Sequence, residues 1–463
     1  MERSPTPGSC SSTPLRSRAS VEASLRLLTS REPLQRIVRA LTPAQLFLVG
    51  GTVRDAFFDR HETDLDLATD LDTETVRQRC HTCGIHTVDT GIQHGTILAV
   101  ISGQHVELTT FRTPSTRAQH HSASDITTDL SGRDFTFNAI AYDLANHRIL
   151  DPFDGITDLS QGIVRAVADS EARLREDPLR ILRMVRFGSA QGRTVDAATL
   201  AAAQALVSSV GSISIERIKH ELDQILMSPF PHLGMRSLLE IGALPYTIPE
   251  LLPAVGFEQN RFHIHDVFEH TLWVLERTPR DLILRWAAVF HDIGKPHTLS
   301  VDGAGNRHFY QHEVVSDEQS RARMRALRFS RDDTESVSLL VRHHMRPLDC
   351  GAAGVRRLIR DLGEELPRWR LFKAADAPPT VSPAEFDVVA HGFDRLLEAE
   401  AARRATPSYG KLAVSGADIL DLGAQPGPLI GRILKELEEL VVENPGRNHR
   451  EELLEEAKKR LVK

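Results

Sequence analysis

The sequence predicts an α+β multidomain protein, with a small α/β head followed by a mostly α-helical remainder. Three observations predict it. At 463 residues the chain exceeds one typical domain, and a hydrophobic fraction of 41% suffices for more than one core. Strand-like and helix-like patterns alternate from residue 46 to about residue 160. Beyond about residue 165 an apolar period of about 3.6 takes over.

Taken in order, the first thirty residues are rich in Ser, Pro and Arg and lack an apolar core, which excludes a secretory signal. A flexible tail over residues 1–30 or an over-long start is expected, with an organelle-targeting segment as the alternative. Leu46 to Val49 reads as a buried strand, and Gly50-Gly51 lets the backbone turn sharply and approach a ligand. Arg54 follows about one turn into a helix, where a guanidinium forks onto phosphate oxygens near a helix N-terminus. Asp64-Leu65-Asp66 lies in a second strand. Alternate strand residues share a face, so two carboxylates point one way, an arrangement that holds Mg²⁺ against a triphosphate. A hairpin around Ser102-Gly103 supplies a third acid, Glu107, for the same site. Any one of these signals alone would suit a plain turn or a solvated edge. Their order of strand, glycine turn, helix and carboxylate strand argues for a site.

These segments, together with RDFTFNAIAYD at 133–143, DPFDGITDL at 151–159 and REDPLRILRMVRF at 175–187, resemble the class II tRNA nucleotidyltransferases, that is, the CCA-adding enzymes and bacterial poly(A) polymerases. The resemblance runs in order from residue 46 to the C-terminus. It implies a polymerase-beta-like nucleotidyltransferase head, then a helical neck, an HD domain and a tail. Gly132-Arg133 stands where the family usually has two arginines, so only Arg133 is carried over. The implied chemistry is in-line attack of an RNA 3′ hydroxyl on the α-phosphate of CTP or ATP, with two cations serving attacking and leaving oxygens. Asp64, Asp66 and Glu107 are then catalytic, the two aspartates bind metal, and Gly50, Gly51, Arg54 and Arg133 serve the nucleotide.

Read as a helix, residues 176–186 put Asp177, Arg180, Arg183 and Met184 within an arc of roughly 120° opposite Ile181, Leu182 and Val185. An acid beside arginines suits either an ion-paired surface helix or the edge of a nucleobase. The resemblance assigns base selection to Asp177 and Arg180, with Arg183 and Arg186 nearby for nucleotide phosphate or base.

His270, His291-Asp292, His312, His343-His344 and Asp376 form a series of imidazole and carboxylate donors suited to transition metals. The series resembles the HD phosphohydrolases. That likeness implies His270, His291, Asp292 and Asp376 as ligands, with His312 and one of His343 or His344, His343 by preference, supporting a second divalent transition metal. Lys295 either contacts a substrate phosphate or caps its helix.

The formal net charge of −7 argues against RNA binding by global attraction. A locally basic surface is required, and Arg165 to Arg193, the Arg321, Arg323, Arg325 and Arg328 set, and Arg356, Arg357 and Arg360 are the choices. Cys10, Cys80, Cys83 and Cys350 are too scattered for a disulfide framework, and the Cys80/Cys83 spacing has no second pair to complete a zinc site. The expected divisions are 1–30 tail, 31–165 head, 166–255 nucleotide-selecting and RNA-binding neck, 256–380 HD domain and 381–463 tRNA-binding tail.

The expected function is template-independent CCA addition to tRNA from CTP and ATP with Mg²⁺, alongside metal-dependent hydrolysis in the HD domain. Specialised CC-, A- or poly(A)-adding enzymes are the near alternative. An HD phosphohydrolase with an RNA-binding head is the distant one. No apolar run has membrane-spanning length, so a soluble, cytoplasmic protein with no membrane partner is expected.

Overall fold

The computed structural model describes residues 15–59, 65–91, 95–111, 125–259, 265–404 and 412–461. Asp64 and Cys10 lie outside them. The chain divides into two compact units, Met1–Pro249 and Glu250–Lys463.

The first unit opens with helices α1 (Arg18–Thr29) and α2 (Glu32–Leu41). Ser17 caps α1 by accepting from the Ser20 N–H, and Val21 and Leu25 are buried. Residues 18–29, expected within a flexible tail, are helical instead, because apolar residues four apart give α1 a face to bury. Strand β1 (Leu46–Val49) leads through Gly50 into α3 (Gly51–Ala56), followed by β2 (Leu65–Thr69), α4 (Thr73–Thr82), β3 (His86–Gly91), β4 (Thr96–Ile101) and β5 (Gln104–Thr110). Then come α5 (Ile126–Ser131), β6 (Ala141–Asp143), β7 (Arg148–Leu150) and α6 (Gly155–Gln161). The seven strands order as β3-β4-β5-β2-β1-β6-β7, with only β2 and β5 parallel. All four β1 residues are buried, as a central strand covered on both faces requires. Phe47, Val49, Ala68, Phe111, Leu130 and Val167 form the core on one side of the sheet.

A short ladder of β8 (Ile163–Val164) with β9 (Thr194–Val195) brackets α7 (Ser170–Glu176) and α8 (Leu179–Gln191). The single helix expected over 176–186 is broken at Asp177. Its backbone is extended (φ −140°, ψ 97°) because Pro178 disfavours the helical region for the residue before it. Met184, expected on the polar arc, is 1% exposed and joins Ile181, Leu182 and Val185 in the core. Helices α9 (Ala197–Leu206), α10 (Ile215–Leu226), α11 (Pro231–Glu240) and α12 (Leu244–Thr247) complete the unit.

In the second unit α13 (Val267–Arg277) and α14 (Leu282–Phe290) precede a hairpin of β10 (Leu299–Val301) and β11 (Arg307–Phe309), then α15 (His312–Ala326), α16 (Arg331–His343), α17 (Gly351–Leu362) and α18 (Leu366–Ala375). Helix α14 is buried from Leu284 to Phe290, apolar there except for Arg285, whose guanidinium donates to the carbonyls of Thr278 and Pro279. Pro378 and Pro379 lie between α18 and α19 (Pro383–Arg404). Finally α20 (Gly416–Asp421), α21 (Pro428–Glu443) and α22 (Arg450–Leu461) share a small core of Ile419, Ile433, Leu437 and Leu453. Cys80, Cys83 and Cys350 are free thiols, and burial pushes Cys80 up to about 11. Among the described residues no helix is long and apolar enough to cross a membrane.

Candidate functional site

At the end of β1, Gly50 adopts φ +66°, and a Cβ there would sit 3.3 Å from Asp66 Oδ2 and 3.7 Å from an Arg133 guanidinium nitrogen. Glycine is required by backbone handedness, and a Cβ would also crowd the Asp66 carboxylate. Asp66 and Glu107 are directly paired across the parallel β2–β5 ladder, so both carboxylates leave the same face of the sheet. Glu107 is exposed and Asp66 half-buried. Arg133 is held by Asp129 at 3.1 Å. The turn, the two acids and Arg133 thus converge on one patch.

Arg54 reaches from α3 to donate to both Asp55 oxygens at 2.8 Å and to Asn138 Oδ1 at 2.8 Å. Asn138 donates onward to Asp134 at 2.9 Å, and Asp134 also accepts from Arg183 Nε at 2.7 Å and from the Phe135 N–H at 2.8 Å. This relay ties α3 to α8 through the short turn after Arg133. Arg180 donates to Gly132 O at 2.7 Å, and Asp177 accepts from Arg217 on α10 at 2.9 Å. Arg186 Nε lies 3.0 Å from Glu221 Oε2 but without hydrogen-bond alignment. Burial pushes the Glu221 carboxyl up, against the pull of Arg186 and Arg183.

The second unit brings six of the seven expected donors together. His270 and His291 lie 3.2 and 3.8 Å from Asp376, and His312 lies 3.2 Å from Asp292. His344 completes the set, its Nε2 3.2 Å from that of His312. His343 does not belong. One residue is about 100° of helix, and that turn carries the His343 ring away from the cluster while His344 is buried in it. In His291, His312 and His344 the ring Nδ1 faces the carbonyl three residues earlier, at 2.8, 2.7 and 2.7 Å. Each Nδ1 is therefore assigned a proton, and each Nε2 is directed into the cluster. His291 Nε2 and Asp292 Oδ1 are buried with no hydrogen-bond partner. Lys295 Nζ bridges Asp292 and Gln259, both at 2.6 Å. Burial would raise the Asp292 carboxyl, but His291, Lys295 and His312 hold it well below the usual range.

Comparison with known proteins matches the poly A polymerase head domain over residues 46–165, the "Probable RNA and SrmB- binding site of polymerase A" over 192–255 and the HD domain over 263–377. An A-adding tRNA nucleotidyltransferase of Deinococcus radiodurans is 33% identical over 324 residues, 67% of this chain and 74% of that one. The chain belongs to the tRNA nucleotidyltransferase family. A CCA-adding enzyme of Leuconostoc mesenteroides is 28% identical over 86% of this chain and 88% of its own. The structure of the Bacillus stearothermophilus CCA-adding enzyme in complex with CTP aligns with TM-score 0.68 and 25% identity, over 93% of this chain and 98% of that one. The Thermotoga maritima CCA-adding enzyme complexed with tRNA shares the fold at TM-score 0.57 and 17% identity.

Within this tRNA nucleotidyltransferase, several functional side chains were not singled out from sequence. Asp134 and Asn138 sit four apart in the RDFTFN segment, from which only Arg133 was carried over, and Glu221 is an acid on the apolar face of α10. Phe187 also went unmarked. Its ring packs edge-on against Phe135 and Phe137, with the guanidinium carbons of Arg54, Arg183 and Arg186 at 5.6, 5.6 and 4.5 Å from its centroid. Such contacts are worth about 1–2 kcal/mol when partly desolvated. Phe187→Leu is expected to raise the KM for nucleotide about tenfold with a smaller change in kcat, measured in steady-state incorporation.

The arginines proposed as RNA surface are largely committed elsewhere. Arg165 pairs with Asp158 and Asp196, Arg321 with Asp317 and Glu335, and Arg323 with Glu250. Arg356 pairs with Glu400, Arg357 with Glu439 and Glu443, and Arg360 with Asp361 and Glu439. These pairs tie helices together, so these arginines are braced rather than bare charges.

Proposed function

We propose that the chain adds CCA to tRNA 3′ ends in the cytoplasm, using CTP and ATP without a nucleic-acid template. The convergence of Gly50, Asp66, Glu107 and Arg133 on one face carries the reading. Mg²⁺ fits this set, because hard carboxylate oxygens stand beside a cradle kept open by the absence of a Cβ. Bound there, it would neutralise charge on the attacking and leaving oxygens. Asp66 and Glu107, with Asp64, would hold it. Gly50 and Gly51 let the triphosphate approach the backbone, and Arg133 faces its charge. Arg54 is oriented by Asp55 and Asn138, so its contribution is a pre-set direction rather than a searching side chain. Asp177, held by Arg217, and Arg180, held by the carbonyls of Arg173 and Gly132 and by Glu176, are the pair assigned to the base edge, and Arg183 and Arg186 flank them.

A specialised A-adding enzyme is the second reading, favoured by the A-adding activity named for the relative from Deinococcus radiodurans. Purified protein offered tRNA lacking its CCA, with CTP, ATP or both, separates the two. Incorporation of two cytidines and then one adenosine is expected, and adenosine addition only to tRNA already ending in CC would sink the CCA reading.

The HD cluster supports a metal-dependent phosphohydrolase site. A divalent transition metal fits the imidazole nitrogens and carboxylate oxygens that converge here, each group of three within 4.8 Å of one another. Such a metal, when bound, activates water. His270, His291 and Asp376, with Asp292, His312 and His344, would hold it, while Lys295 fixes the Asp292 carboxylate. Metal content measured by elemental analysis should fall several-fold in a His291→Ala/Asp292→Ala variant, and nucleotide addition by the head should persist. Unchanged metal content would remove the site.

A further inference from the structure

Helix α13 carries a row of contacts that starts at one member of the HD cluster and returns to another. His270, Trp273 and Arg277 stand three and four residues apart, and since helical side chains lean toward the helix N-terminus, each lies over the one before it. The Trp273 ring stacks on the His270 imidazole with centroids 6.0 Å apart and planes 23° from parallel. The Arg277 guanidinium carbon lies 4.2 Å from the Trp273 centroid. Arg277 also donates to Ala374 O at 3.3 Å, in the last turn of α18. That carbonyl would find its helical donor at residue 378, which is a proline and has no N–H to give. Two residues after Ala374, Asp376 closes the circuit, its Oδ1 3.2 Å from His270 Nε2.

We propose that Trp273 and Arg277 are positioning residues of the HD centre, setting how tightly His270 and Asp376 take a divalent transition metal. The inference rests on the metal-binding reading of that cluster. His291, His312 and His344 are turned by backbone carbonyls at Nδ1, whereas the brace on His270 is an aromatic face that fixes the plane of its ring. The plane matters because the Nε2 lone pair lies in it, so a tilted ring swings its donor electrons off the metal. Arg277 is exposed and Trp273 half-buried, and the core side of α13 is already made by Val267, Phe268, Val274 and Leu275. Filling the core therefore does not account for the stack. By holding Ala374, Arg277 also fixes the turn of α18 that ends in Asp376. One row of side chains thus governs ligands carried by two helices.

The test is calorimetric titration of full-length, chelator-stripped protein with Co²⁺, with Mg²⁺ in excess to fill the oxygen-donor site of the head. Trp273→Leu is expected to weaken Co²⁺ binding about tenfold, the usual scale for a residue that orients a ligand. Arg277→Gln should weaken it about threefold, as loss of an exposed cation over an indole does. Trp273→Phe keeps a ring face and should stay within about threefold of the wild type. Thermal melts of the stripped proteins and nucleotide addition by the head should not differ among them. Should Trp273→Leu melt early, Arg277→Gln, changed at an exposed side chain, carries the same comparison. Wild-type Co²⁺ affinity in both Trp273→Leu and Arg277→Gln overturns the positioning role, and so does an equal loss in Trp273→Phe and Trp273→Leu. Wild-type protein that takes up no Co²⁺ at all overturns the metal-binding reading, and the positioning role with it.

Discussion

Asp66→Ala is expected to lower nucleotide addition at least about a thousandfold, because loss of metal-borne charge stabilisation costs several kcal/mol at the transition state. The fold should survive. Asp66 is half-buried at the sheet surface, and the β2 backbone pairing with β1 and β5 does not use its side chain. Single-turnover incorporation of labelled CTP, read beside a thermal melt, checks both halves. Rates within tenfold of wild type would show that the acid next to Gly50 is no part of the chemistry. Substituting Glu107, exposed at its edge of the patch, should cost less.

Asp134→Ala should act through stability. The carboxylate is buried and accepts from Arg183, Asn138 and the Phe135 N–H, so its removal strands a guanidinium and an amide inside the relay. Breaking a fully buried pair costs about 3–5 kcal/mol, and since Arg183 is one-third exposed a smaller loss, about 2–3 kcal/mol, is expected. The pH dependence has a definite sign. Burial alone would raise the Asp134 carboxyl, but Arg183, Asn138 and the Phe135 N–H outweigh it and hold the group below its ordinary value. A depressed folded pKa contributes stability that is complete above the unfolded value of about 3.9 and is lost as pH falls through the folded one. Denaturant melts below about pH 4 should therefore fall more gently in Asp134→Asn than in the wild type. Parallel acid limbs would contradict the assignment.

Features set by a few consecutive residues were legible beforehand. The Leu46 to Val49 strand, the Gly50-Gly51 turn and the position of Glu107 follow from strand alternation and a two-residue hairpin, because those rules are local. The polar relay was not legible, since Arg54, Asn138, Asp134 and Arg183 meet only after three elements pack. For the same reason Asp177 could be marked for a base edge but not its tether Arg217, forty positions away. The Asp177-Pro178 break was readable and overlooked: helical periodicity on either side hid what proline imposes on its predecessor. Between His343 and His344 sequence offered nothing, because both suit a metal and only the end of α16 decides which ring points inward.

Strand β7 ends the seven-stranded sheet, yet its outer backbone is not bare: Arg18 of α1 donates to Ile149 O, and Glu22 accepts from the Ile149 N–H at 2.9 Å. Side chains thus imitate a neighbouring strand. Those two residues act as a guard against another molecule adding itself to that border, the usual opening step of sheet-mediated clumping. A version of the protein begun at residue 31 should be prone to precipitate even though every residue of the nucleotide patch remains.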